Sequence, residues 1–202
     1  MTRLHLPLFA LALLSIAAPA AYAGSSGGLY IGALAGAASS DDWDRIVGNA
    51  NGIIGTDATA ATSGSLGLSG ALGYRLSPGL AVEVSYVDGG TSDVEFATVP
   101  ALIEIHKRHA AISVLGILPV SEGIELYGRL GVAHWEMETD LTLAGVKSSD
   151  TISGNDLTYG AGLAYELVSQ LDLLADYQRI KMKVPSGNLS ADYYLAGLRY
   201  RF

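Results

Sequence analysis

The sequence predicts an all-β chain, an eight-stranded antiparallel up-and-down transmembrane barrel with short turns at one end and long loops at the other. Three observations carry this. Of its 202 residues 50% are hydrophobic and only 16% charged, with a mean hydropathy of +0.33, yet no segment beyond the N-terminal leader offers the ~18 uninterrupted apolar residues of a spanning helix. Apolar residues instead recur at every second position, the period of a strand with two different faces. Connections between these stretches alternate short and long. A membrane chain without helices must close its backbone hydrogen bonds in a barrel.

Other classes fall away on composition. The absence of Cys excludes a disulfide framework, a thiol nucleophile and a Cys-ligated zinc site. A formal net charge of −8 is the wrong sign for nucleic acid, and neither a metal nor a cofactor is expected.

Residues 1–23 read as a cleaved signal peptide, leaving 24–202 as the barrel domain. Arg3 and His5 begin it, Leu6 to Ile16 is apolar, and Ala21-Tyr22-Ala23 is a small-x-small cleavage site. Strand 1 (about 28–37) sets Leu29, Ile31, Ala33 and Ala35 against Tyr30, Gly32, Leu34 and Gly36. Strand 2 (about 65–76) sets Leu66, Leu68, Leu72 and Tyr74 against Gly67, Ser69, Gly73 and Arg75. Strand 3 (about 80–88) sets Leu80, Val82, Val84 and Tyr86 against Glu83 and Ser85. Strand 4 (about 105–118) alternates least, because Leu115 and Ile117 join His109, Ala111 and Ser113 on the face opposite Ala110, Ile112 and Val114. Strand 5 (about 124–136) sets Ile124, Leu126, Leu130 and Val132 against Glu125, Tyr127 and Arg129. Strand 6 (about 156–167) sets Leu157, Tyr159, Ala161, Leu163 and Tyr165 against Gly160, Gly162 and Glu166. Strand 7 (about 171–182) sets Leu171, Leu173, Ala175 and Tyr177 against Asp172, Asp176 and Gln178. The last strand, ending at 202, sets Tyr194, Ala196, Leu198, Tyr200 and Phe202 against Tyr193, Leu195, Gly197, Arg199 and Arg201.

Ser77-Pro78-Gly79, Ser121-Glu122-Gly123 and Val168-Ser169-Gln170 are the tight turns, and polar segments at about 38–64, 89–104, 137–155 and 183–190 are the loops. A soluble lipocalin-like barrel would alternate too, with its apolar face inward. Two features favour apolar outward. The polar face is crowded with Gly and Ser, as a narrow lumen requires. Tyr159/Tyr165 and Tyr194/Tyr200 stand six residues apart, about 20 Å along a strand, which puts one near each interface as aromatic girdles do. Tyr86 and Tyr177 join one girdle, Tyr74 and Phe202 the other.

Tyr127-Gly128-Arg129-Leu130-Gly131 with Trp135 resembles the fifth strand of the outer membrane protein A-type transmembrane domain. Tyr159-Gly160-Ala161-Gly162-Leu163-Ala164-Tyr165-Glu166-Leu167 resembles its sixth strand, and Leu198-Arg199-Tyr200-Arg201-Phe202 its last. The wider group includes opacity-type surface antigens. The resemblance implies location in the cell outer membrane, Phe202 as the signal read by the barrel-assembly machinery, and Glu83 and Arg129 as a buried lumen ion pair. The family's peptidoglycan-binding domain has no counterpart before the chain stops at Phe202, so no cell-wall tether is expected.

Nine inward charges form the first candidate site: Glu83, Glu125, Glu166, Asp172 and Asp176 facing Arg75, Arg129, Arg199 and Arg201. An eight-stranded lumen is just wide enough for side chains to fill, so pairing within a plug is favoured over an ion path or gate. The second site is Arg108, Arg179 and Lys181, outward cations above the girdle, expected to contact phosphates of outer-membrane lipid including lipopolysaccharide. His106, His109 and His134 show no nucleophile–base–orienter spacing, so a lipid A-modifying enzyme is disfavoured. The acidic run Asp41-Asp42-Trp43-Asp44 lacks a calcium loop's ligand spacing and reads as solvated surface. The expected role is structural or surface-interactive, non-catalytic, with a cell-surface or host ligand bound through the loops. A narrow gated porin and an adhesin or surface antigen are the alternatives.

Overall fold

The computed structural model describes residues 27–39, 65–95, 101–143, 146–184 and 187–202. The signal segment 1–23 and the acidic run at 41–44 lie outside them. Eight strands follow in order: β1 (Gly28–Ser39), β2 (Ser65–Ser77), β3 (Leu80–Glu95), β4 (Ala101–Ser121), β5 (Ile124–Leu143), β6 (Val146–Val168), β7 (Leu171–Val184) and β8 (Gly187–Arg201). Each pairs antiparallel with its sequence neighbour, and β8 returns to β1 to close the barrel. At the seam Ile31 faces Tyr200 and Ala35 faces Ala196. The all-β, eight-stranded up-and-down expectation holds.

The faces follow the chain's parity. Leu68, Ile112, Leu130, Val132, Leu163 and Leu198 are exposed on the outside, and Ser85, Glu83, Ser113, Arg129, Asp172 and Arg199 are buried inside. Tyr177 packs on Tyr194 with ring centroids 5.2 Å apart, and Tyr200 meets Phe202 edge-on at 5.1 Å, one pair near each end of the apolar band.

The long connections differ from expectation. The sequence pattern predicts loops at 89–104, 137–155 and 183–190, but most of each is strand, with β5 and β6 paired out to Leu143 opposite Val146. The reason is a reversal of parity. Up to Tyr177 β7 points Leu171, Leu173, Ala175 and Tyr177 outward; beyond it Arg179, Lys181 and Lys183 take the outward face, and Ile180 and Met182 are buried inside. On β5 the change falls at His134, after which Trp135 and Met137 are inward and Glu136 and Glu138 outward. On β4 Ile105 is inward between Glu104 and His106. Where lipid gives way to water the outside becomes polar, and the inside becomes an ordinary hydrophobic core of Val87, Ile105, Trp135, Met137, Ile180, Met182, Leu189, Tyr193 and Leu195. A search for outward apolar residues stops at that height although the hydrogen-bonded ladder continues.

The upper strands do not all stay in the barrel. The β6–β7 ladder ends at Thr158 opposite Ile180, while β6 runs on to Val146 paired only with β5 among the described residues. Asp156 ends the ladder: its Oδ2 accepts hydrogen bonds from the Lys183 backbone N–H and Trp135 Nε1, both at 2.9 Å. On the other side the β2–β3 ladder reaches only Leu68 opposite Asp88. The upper parts of β3, β4, β5 and β6 thus form a four-stranded sheet standing above the barrel.

Glycines set the interior spacing. Tyr30 faces Gly73 across β1–β2, Tyr127 faces Gly162 across β5–β6, and Trp135 faces Gly154 on the same hairpin. A Cβ at any of these glycines would enter the opposing ring. Each ring covers the backbone that its opposite glycine leaves bare. Gly197 is packed as closely, against the Ala33 carbonyl, whereas outward Gly70 and Gly116 have open space around them. Gly197→Ala should therefore destabilise the barrel by about 1–3 kcal/mol in urea titrations, and Gly70→Ala and Gly116→Ala should leave the midpoint unchanged.

Candidate functional site: the lumen ion network and the charged collar

The nine inward charges gather into two layers. In the middle of the lumen Arg129 on β5 reaches Glu83 on β3 at 3.0 Å (Nη1–Oε1) and Asp176 on β7 at 3.2 Å (Nη2–Oδ1), with every one of these side chains buried. The Glu83 contact is a close ion pair rather than an aligned hydrogen bond, since Oε1 receives no N–H along its axis. Hydrogen bonds complete the layer: Tyr30 Oη donates to Glu83 Oε2 at 2.9 Å, Tyr127 Oη to Asp176 Oδ1 at 2.9 Å, and Gln178 Nε2 to Asp176 Oδ2 at 2.6 Å. One guanidinium and three neutral donors thus hold two carboxylates, and a single side chain ties β3, β5 and β7 across the lumen.

The second layer lies toward the short turns. Arg75 is bidentate on Glu125, at 2.8 and 3.2 Å. Arg199 Nε donates to Asp172 at 2.8 Å and its Nη2 lies 3.4 Å from Glu125. Arg201 Nη2 sits 2.7 Å from Glu166 and 3.0 Å from Asp172. Three cations and three anions balance in this layer, and Arg199 also stacks over Tyr30 at 5.3 Å, joining the two layers.

Two spaces open beside these layers among the described residues. A cavity of about 10 Å³ lies beside Tyr30, Ser69, Glu83, Arg129 and Gln178, room for about one water. A wider vestibule of about 440 Å³ opens at the short-turn mouth among Arg75, Glu125, Arg199 and Arg201. Sequence reasoning does not single out Tyr30, Tyr127 and Gln178 as members of the site. Their inward parity and the adjacent carboxylates are the available signal. His109 is buried against Tyr193, ring centroids 5.1 Å apart, at the base of the upper apolar core.

The outward cations are dispersed. Arg108 on β4 pairs with Glu136 on β5 at 2.7 Å. Arg179 on β7 pairs with Asp192 on β8 at 2.7 Å, and Tyr177 Oη donates to the same carboxylate at 2.6 Å. Lys181 is exposed, its Nζ 5.7 Å from the centre of the Tyr159 ring. β5 and β6 lie between β4 and β7, so Arg108 belongs to a different side of the collar from Arg179 and Lys181. Phe202 is exposed, and its N–H donates to the Leu29 carbonyl at 3.0 Å.

Truncating Arg129 leaves two buried carboxylates without their cation. Arg129→Ala should lower unfolding stability in lipid vesicles by about 3–5 kcal/mol, and by less if Arg199 shifts toward Glu83. The triple variant Glu83→Gln/Arg129→Met/Asp176→Asn, which removes all the charges together, should recover most of that loss.

Comparison with known proteins agrees with this architecture. The sequence model of the outer membrane protein beta-barrel domain family matches residues 8–202. No curated protein matches the chain by sequence. Among solved structures, a major outer membrane protein of Thermus thermophilus is 16% identical with a TM-score of 0.55, over 87% of this chain and 99% of that one. The attachment invasion locus protein Ail of Yersinia pestis, in complex with the heparin analogue sucrose octasulfate, is 18% identical with a TM-score of 0.51, over 87% and 98%. OprG of Pseudomonas aeruginosa is 15% identical with a TM-score of 0.51, over 88% and 93%. At these identities the likeness is one of fold. With the family match over nearly its whole length, the chain belongs to the outer membrane protein β-barrel domain family and is a protein of the cell outer membrane.

Proposed function

We infer that this barrel is a non-enzymatic surface-interaction protein that presents its raised β3–β6 sheet to a partner at the cell surface. The observation that carries the reading is the free upper edge of β6. From Val146 to Leu157 its backbone is paired on one side only among the described residues, and most side chains there are small or polar: Ser148, Ser149, Thr151, Ser153 and Gly154. An unprotected edge of that length is a template for an extended segment of another chain, with main-chain hydrogen bonds supplying affinity. Ail binds a heparin analogue. On this chain Glu104, Glu136, Glu138 and Asp140 line the outward face of the sheet, which disfavours a sulfated glycan there and favours a polypeptide partner.

The lumen supports a closed barrel over the porin alternative, because the buried Arg129 ion pairs and, above them, the apolar core fill it among the described residues, with a water-sized space beside Arg129. The histidines support a role without catalysis. His106 meets Thr91 Oγ1 at 2.6 Å, and His134 meets Asn155 at 3.0 Å and Glu136 at 3.8 Å. None of these imidazoles is shared between a hydroxyl and an orienting carboxylate among the described residues. Phe202, exposed at the chain's end beside the β1–β8 seam, is offered for reading by the assembly machinery.

Replacing residues 140–149 with a two-residue Asn-Gly turn shortens the β5–β6 hairpin in register, since Thr139 faces Asp150. The shortened barrel should fold and insert but bind target cells far less than the parent. Equal binding would remove the surface reading, and discrete conductance steps from the parent in planar bilayers would return the porin. Deleting Phe202 should lower outer-membrane levels in cells much more than it shifts the unfolding midpoint in detergent, where burial of one ring is worth at most about 1.5–3 kcal/mol.

A further inference from the structure

We propose that the β7 sector of the collar, through Lys181 and Lys183, binds a phosphate group of an outer-leaflet lipid, and that the β4–β5 sector does not. Both lysines are exposed and share the outward face of β7, two residues apart, so their Cα atoms stand about 7 Å apart. That spacing suits two ammonium groups converging on one phosphate. The height is fixed independently. Lys181 folds back so that its Nζ lies over the Tyr159 ring, and Tyr159 is the register partner of Arg179, just above the Tyr177–Tyr194 pair. Its ammonium therefore hangs at the upper girdle, where hydrocarbon ends and lipid phosphates begin, while its stem covers aromatic surface.

The surroundings select for an anion. Asn188 and Ser190 of β8 are the register partners of Lys183 and Lys181 and add an amide and a hydroxyl to the same face. Among the described residues the two nearby acids are committed elsewhere: Asp192 is held by Arg179 and Tyr177, and Asp156 points inward to Trp135 and the Lys183 backbone N–H. The β4–β5 sector has the opposite character. Glu104 faces Asp140, His106 faces Glu138, and Arg108 is taken by Glu136, leaving a surface that repels phosphate. Of the three outward cations that the sequence places at this height, Arg108 stands in the repelling sector, and Arg179 serves as the anchor that neutralises Asp192 beneath the site.

Retention of lipid A by the purified barrel tests this. Detergent-solubilised parent protein and the Lys181→Gln/Lys183→Gln variant, each checked for folding by heat-modifiable gel migration, are incubated with phosphorylated or dephosphorylated lipid A, and bound lipid is measured by mass spectrometry. Each lysine near the phosphate should be worth about fivefold in retention at low ionic strength. The double variant should therefore hold much less phosphorylated lipid A, and dephosphorylated lipid A should bind both proteins equally weakly. Lys147→Gln, which removes one charge near the tip of the hairpin, should match the parent. Equal retention by parent and double variant, or an equal loss with Lys147→Gln, would overturn the site. Displacement of the lipid by millimolar inorganic phosphate would overturn its assignment to a lipid headgroup.

Discussion

The membrane-spanning part of this molecule is arranged around the width of an eight-stranded lumen. Once β8 pairs with β1 the interior cross-section is fixed, and whatever points inward must fill it without leaving a charge alone. Arg129 meets both demands, reaching strands on two sides of the barrel at once. A buried guanidinium between two carboxylates is less a source of net stability than a constraint on register, because sliding any of the three strands by one residue would put its charge into lipid. The ion network and the lipid-facing apolar band are therefore two expressions of the same pairing.

The chain manages depth by exchanging the roles of its two faces. Within the bilayer the inside is polar and the outside apolar; above it the assignment reverses on the same strands, and the β4–β5, β5–β6 and β7–β8 ladders continue through the change. Lipid solvates the outside below the Tyr177–Tyr194 level and water above it, and in each zone the interior takes whatever chemistry packs and pairs best. The upper half of the barrel is in effect a water-soluble β-structure continuous with a membrane-embedded one.

How much of this the sequence disclosed follows from that exchange. Strand number, antiparallel order, the short turns and the inward charges follow from parity, because parity is rigid along a strand. Leu115 and Ile117, which blur the alternation of β4, are inward, with Leu115 beside the mid-lumen cavity. Strand ends above the membrane are hidden because outward apolar residues stop there, although Arg179-Ile180-Lys181-Met182-Lys183 carries the reversed pattern in plain view. The tyrosines that complete the lumen layer can be placed by face but not by partner. Which acid a given Tyr meets depends on strand tilt and stagger, quantities that a one-dimensional pattern does not contain.

The divergence of β6 from β7 at Asp156 also has a mechanical meaning. Along β4 and β5 the raised sheet continues into the barrel below it without interruption. β4 runs unbroken from Ala101 to Ser121 and stays in register with β5 over almost that whole length. A pull on the tip, along the strands, is therefore carried as shear by many hydrogen bonds loaded together, rather than opening them one after another. Tension applied along the β6 edge would pass directly into the membrane-embedded wall.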